Sequence, residues 1–177
     1  INREFVIGHV GRFSYQKNHQ FVIDIFAAFH AMHPSSVLLL VGGSVEDDSF
    51  LKKTKEKVKQ LGLENSVKFL GMREDVPALM QAMDCFLFPS LFEGLGFVGI
   101  EAQAAGLPCF FSDTITREVG ITNLAHFYSL HMEPTQWAEK IALSIKSSRL
   151  NKREELKNAG YDINYEIEKV QQFYLNG

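Results

Sequence analysis

From Cys85 to Phe111 the chain reads CFLF-PSLFEGLG-FVGIEAQAA-GLP-CFF. Short apolar runs at Cys85–Phe88 and Cys109–Phe111 flank a helical segment, Phe97–Ala105. Pro89 ends the first run, and Gly106 stops the helix. An apolar run without polar alternation suits a strand buried on both faces, and a helix between two such runs is the crossover that parallel strands need. The alternation continues outward. Upstream, Phe5–Gly11 reads as a strand, and Asn18–Met32 as a helix with Phe21, Ile25, Ala28, Phe29 and Met32 on one face. Val37–Val41 is a second strand, closed by Gly42 and Gly43. A charged helix, Asp47–Leu61, stops at Gly62. Val67–Leu70 and Val76–Ala82 follow as strand and short helix. Downstream, a sixth strand is expected near Phe127, then helices at Pro134–Ile145 and Asn164–Leu175. This order predicts a single α/β domain over residues 1–177, its parallel sheet covered by helices on both faces. Such sheets bind ligands beyond the carboxyl ends of their strands, so chemistry is expected in the loops that follow strands.

The 177 residues are 46% hydrophobic and 22% charged, a composition that supports one globular core. A net charge of −3 and a pI near 6.1 argue against a broad nucleic-acid-binding surface. Cys85 and Cys109 lie inside apolar runs and are expected as buried, reduced thiols, which fits a cytosolic location. No stretch approaches the roughly 18 apolar residues of a spanning helix. The chain opens abruptly at Ile1, as a piece of something longer would. His9 lies in the first strand and reads as core or site-lining. His19, His30, His33, His126 and His131 show no paired metal-ligand spacing, so no metal site is expected. Trp137 and most of the fifteen phenylalanines read as packing.

Three loops carry polar residues. After the first strand, Gly11-Arg12-Phe13-Ser14-Tyr15-Gln16-Lys17-Asn18 offers a guanidinium and an ammonium, a combination suited to a diphosphate. The same two cations also read as solvated loop charges. After the third strand, backbone groups near Met72 and Arg73 could hydrogen-bond a base, or the loop is an ordinary turn in which Asp75 caps the next helix. After the fourth strand, Pro89–Gly96 places Glu93 before glycines that let a ligand approach the backbone. The helix start at Leu95, Gly96 and Phe97 offers free N–H groups to an anion. Glu101 follows within the helix and could accept hydrogen bonds from hydroxyls. Its apolar or small neighbours, Ile100, Ala102, Ala104 and Ala105, predict a largely buried helix in which an acid needs a partner.

Gly94-Leu95-Gly96-Phe97-Val98-Gly99 also matches G-x-G-x-x-G, with Asp113 ending the next strand. Residues 89–93 intervene between strand and first glycine, however. Glu93 would also face an incoming pyrophosphate with like charge. A nicotinamide-type or regulatory nucleotide-binding module without transferase activity is therefore the weaker alternative.

The segment from Phe88 to Pro108 resembles the signature of family 4, group 1 retaining glycosyltransferases of GT-B architecture. E-G-x-G precedes the helix, E-A-x-A-x-G-x-P follows, and seven residues separate Glu93 from Glu101. Val10-Gly-Arg-Phe-Ser-Tyr-Gln-Lys-Asn18 is similar to the family's V-G-R-x(4)-K-N. Phe69-Leu-Gly71 with Asp75-Val76, and Asp84-Cys-Phe-Leu-Phe-Pro-Ser90, fit as well. Glu101-Ala-Gln-Ala-Ala-Gly-Leu-Pro-Cys109 and Ser112-Asp-Thr-Ile-Thr-Arg-Glu-Val119 resemble bacterial exopolysaccharide or capsule enzymes most.

The resemblance implies the C-terminal, Rossmann-like half of a GT-B fold and a nucleotide-diphosphate sugar as donor, with no tightly bound cofactor and no metal. It implies that Arg12 and Lys17 hold the diphosphate, Glu101 the ribose and Glu93 the donor sugar. Glu93, Arg12 and Lys17 are then the catalytic residues. Met72 and Arg73 contact the base, and Leu95, Gly96 and Phe97 offer amides to phosphate or sugar. A saccharide or lipid-linked acceptor would bind through an N-terminal domain absent here, toward which the final helix, about 164–175, is expected to pack. Alone, this chain is expected to transfer nothing. The whole enzyme is expected in the cytoplasm, with peripheral association at the inner face of the plasma membrane.

Overall fold

The computed structural model describes residues 4–44, 48–145 and 149–176. Among them, six strands form one sheet: β1 (Phe5–Val10), β2 (Ser36–Val41), β3 (Val67–Gly71), β4 (Cys85–Phe88), β5 (Cys109–Ser112) and β6 (Ala125–Tyr128). Every pairing is parallel, and the order is β3-β2-β1-β4-β5-β6. The helices are α1 (His19–Met32), α2 (Ser49–Gln60), α3 (Val76–Ala82), α4 (Phe97–Ala104), α5 (Pro134–Ala142), α6 (Arg153–Asn158) and α7 (Ile163–Asn176), with a 3₁₀ turn at Arg117–Val119.

The apolar runs are explained by burial on both faces. Side chains alternate across a strand. On β4, Cys85 and Leu87 point into a core shared with α1 and α5, where Phe26, Phe29, Trp137 and Ile141 pack. Phe86 and Phe88 point into the opposite core, with Met80 of α3, Ile100 of α4 and Phe111 of β5. Both cysteines are free and buried, and burial pushes both thiols up. Trp137 is fully buried.

Several boundaries and faces differ from the sequence expectation. Met32 is 45% exposed, because α1 buries Val22, Ile23, Ile25, Phe26 and Phe29 instead. Asp47, expected in the charged helix, lies outside the described residues, and α2 runs from Ser49 to Gln60. The helix expected to reach Ile145 ends at Ala142. Helix α6 was not expected: its sequence is polar, and Leu156 is its one buried residue. The expected capping by Asp75 is also absent. Asp75 precedes α3 but makes no side-chain cap bond, because Arg73 takes both its oxygens at 2.8 and 2.7 Å.

Candidate functional site

The strand order reverses at β1. The chain runs outward through β2 and β3, then returns to place β4 on the other side of β1. This is the topological switch point where α/β sheets open a crevice. The loops after β1 and β4 flank it, and the loop after β3 lies two strands away on the same edge. Backbone bonds tie the loop after β1 to the end of β2, and that to the end of β3: Gly11 donates to Val41, Phe13 to Gly43, and Gly42 to Gly71. Gly42 has φ 143, and an added Cβ would meet the Gly11 carbonyl at 2.0 Å, so only glycine permits this approach.

At the switch point the two loops are bonded directly. Lys17 Nζ lies 2.7 Å from Glu93 Oε1, and the two side chains are 14% and 7% exposed. The same ammonium stands 4.4 Å from the centre of the Phe88 ring. Gln16 Nε2 donates to Glu93 Oε2 at 3.0 Å and to the Phe92 carbonyl at 2.9 Å. Asn18 Nδ2 donates to the Pro89 carbonyl at 3.1 Å. Asn18 itself is left-handed, with φ 53, a conformation asparagine tolerates better than most residues. Arg12 is exposed and, among the described residues, makes no side-chain ion pair. The two cations expected to act alike are therefore in different states: one is paired and withdrawn, the other is open to solvent.

Helix α4 starts at this edge. Gly96 caps it in the left-handed region with φ 69, and Phe97, 64% exposed, begins the helix. In the first turn Gly99 N–H donates to the Gly96 carbonyl at 2.8 Å, and the N–H groups before it have no acceptor within the helix. Glu101 departs from expectation, since it is exposed and makes no side-chain bond among the described residues. The helix buries Gly99, Ile100, Ala102 and Gln103. A turn of roughly 100° per residue puts Glu101 on the opposite face. Met72 is 80% exposed at the end of β3, and its Cγ would lie 2.7 Å from a Cβ at Gly43.

Beneath the first loop lie two histidines, one of which the sequence did not single out. His9 is fully buried, with Nδ1 2.8 Å from the Leu87 carbonyl. His19 opens α1, stacks on Phe13 at 4.1 Å and meets His9 edge-on at 4.7 Å. Burial drives His9 down to about 4 against the pull of the Leu87 carbonyl, and Lys17 lowers it further. Burial, then His9 and Lys17, drive His19 down to about 2. The floor of this edge is thus uncharged at neutral pH. Among the described residues no three His, Cys, Asp or Glu side chains gather as metal ligands. No described helix is long and apolar enough to cross a membrane.

The family description "Glycosyl transferases group 1" matches residues 1–163. The chain belongs to this family. It is the C-terminal type of domain of the GT-B fold. The putative glycosyltransferase EpsF of Bacillus subtilis is 38% identical over 161 residues, which cover 89% of this chain and 41% of EpsF. The crystal structure of Anabaena Alr3699/HepE in complex with UDP and glucose aligns with a TM-score of 0.72 at 27% identity, over 96% of this chain and 44% of HepE. The crystallised C-terminal domain of LpcC from Francisella tularensis, a group 1 protein, aligns with a TM-score of 0.72 at 25% identity, over 92% of this chain and 85% of that one. The chain spans less than half the length of EpsF and of HepE. In the G-x-G-x-x-G string, Gly96 caps α4, and Gly99 packs against Phe111 and Val119.

Proposed function

We propose that this chain is the donor-binding half of an enzyme that transfers a sugar from a nucleotide-diphosphate sugar to a saccharide or lipid-linked acceptor. The setting is bacterial cell-surface polysaccharide synthesis, with retention of configuration. The observation that carries the reading is the Lys17–Glu93 pair at the switch point, which locks the loop after β1 to the loop after β4. From the loop after β3 to the loop after β4 there are three strand spacings, about 14 Å, a span suited to a nucleotide sugar laid along the edge. Met72 and Arg73 meet the base, Glu101 the ribose, Arg12 and Lys17 the diphosphate, and Glu93 the sugar. The amides of Leu95, Gly96 and Phe97 face phosphate or sugar.

Breaking the bond between sugar and phosphate puts charge on the departing diphosphate. Arg12, Lys17 and the start of α4 are donors already placed at that edge, and each such donor is commonly worth roughly 10²- to 10³-fold in rate. Glu93 has both oxygens engaged by Lys17 and Gln16, which favours a positioning role over that of a nucleophile. The UDP complexes of HepE make uracil the first base to try. The acceptor binds through the remainder of a longer protein, without which this chain transfers nothing. Helix α7 packs on that remainder: Ile163, Ile167, Val170 and Tyr174 recur along it at helical spacing and are 70%, 46%, 55% and 78% exposed. The whole enzyme is cytoplasmic and rests on the inner face of the plasma membrane.

Calorimetric titration of the chain with UDP, GDP and ADP tests the donor site. Selective binding of one nucleotide, weakened by both Arg12→Ala and Glu101→Ala, is the expected result. A folded chain that binds none of them would overturn the assignment. Sugar transfer by the chain alone would overturn the division of labour.

A further inference from the structure

We infer that Gln16 is the positioning residue that fixes the orientation of the Glu93 carboxylate, and through it the recognition of the sugar part of the donor. This rests on the donor-site reading and adds to it a residue outside the family motif, where the position falls among the unspecified ones between Arg12 and Lys17.

Gln16 bonds only to the loop after β4 among the described residues. Its Nε2 donates to the Phe92 carbonyl at 2.9 Å and to Glu93 Oε2 at 3.0 Å, and its backbone carbonyl accepts from Leu91 N–H at 2.8 Å. Both side-chain partners are acceptors. The amide must therefore present its NH₂, since the flipped form would set oxygen against two oxygens. Lys17 holds the other carboxylate oxygen at 2.7 Å. With Lys17 alone, the carboxylate would have one tether and could pivot about it. With Gln16 as well, each oxygen has a fixed donor and the plane of the group is set. The lone pairs that remain then point in defined directions, which hydroxyl recognition requires and charge alone does not supply. Glutamate at position 16 would offer no donor and would set a second carboxylate against Glu93. Asparagine would fall a methylene short.

A tether that only braced the loop would affect every ligand of the edge equally. A residue that orients Glu93 would affect only a ligand that carries a sugar. The test is calorimetric titration of the chain with UDP and with UDP-glucose, for the unsubstituted chain, Gln16→Met and Gln16→Glu. Gln16→Met keeps the length and removes both donors. It is expected to leave UDP affinity within about twofold and to weaken UDP-glucose roughly tenfold, the worth of a hydrogen bond to a charged group, with Gln16→Glu weaker still. Equal losses for both ligands, or no loss for either, would overturn the inference. A ligand-free measurement separates it from the reading beneath it. The Gln16 side-chain amide resonances are expected to move in Glu93→Ala, and resonances indifferent to that change would overturn the orienting role. Failure of the unsubstituted chain to bind either nucleotide would overturn the donor site itself.

Discussion

Lys17 and Glu93 form an ion pair largely withdrawn from water, at 14% and 7% side-chain exposure, so removing one partner strands the other. Lys17→Met is expected to cost roughly 3 kcal/mol in urea unfolding, and adding Glu93→Leu to recover much of it, because a stranded buried charge costs more than no pair at all. The histidines below respond to acid. Burial holds His9 down to about 4 and His19 down to about 2, while in the unfolded chain both titrate near 6.5. Between these values the unfolded state binds more protons. Stability is therefore full above about pH 6.5 and falls as pH drops toward 4, by on the order of a few kcal/mol. Among the described residues His19 finds no hydrogen-bond partner for either ring nitrogen, and it stacks on Phe13. His19→Phe should flatten the acid limb in urea titrations run from pH 7 to 4, and an unchanged limb would place the proton uptake elsewhere.

Helix α4 is held in place by two polar devices at the scale of the element. Gln103 is fully buried. Its Nε2 donates to the Gly99 and Val119 carbonyls at 2.9 and 2.7 Å, and its Oε1 accepts from Thr122 N–H and Oγ1 at 2.9 and 3.0 Å. Gln103→Ala would remove all four bonds and leave Thr122 N–H buried without its acceptor, and is expected to cost roughly 2–4 kcal/mol, read from the thermal midpoint. Arg149 serves the far ends of two helices, donating to Met80, Gln81 and Met83 around the end of α3 and to Ala105 at the end of α4. Cations near helix C-termini are favourable. The element spanning β4, α4 and β5 was legible to within a residue because Pro89 and Gly106 punctuate it. The face of α4 was read less well. Ile100, Ala102 and Ala105 suggested burial all round, but packing against Phe111 and Val119 selects one side, and Glu101 is left on the other.

In the whole molecule, α7 stands apart from the sheet in character. Ile163, Val170, Phe173, Tyr174 and Leu175 are all more than half exposed, whereas α1 buries most of its apolar residues in the core. An element with so little buried surface adds little to stability. A chain lacking residues 163–176 is expected to melt within a few degrees of the full one and to self-associate less at high concentration, because exposed apolar patches promote association. A fall in midpoint comparable to that of Gln103→Ala would show α7 to be part of the core.

Sequence alone determined the alternation of strands and helices, the parallel sheet buried on both faces, the buried cysteines and the motif of Glu93 and Glu101. Those signals are local: apolar periods, proline and glycine stops, and fixed spacings within one loop and helix. The tertiary structure decided which loops meet. Lys17 and Glu93 are 76 residues apart, and they pair because the chain returns to lay β4 beside β1. That adjacency withdrew Lys17 from solvent while leaving Arg12 exposed, and it gave Gln16 its two acceptors. Residues so far apart carry no local signal of their contact; only the closure of the sheet between them creates it.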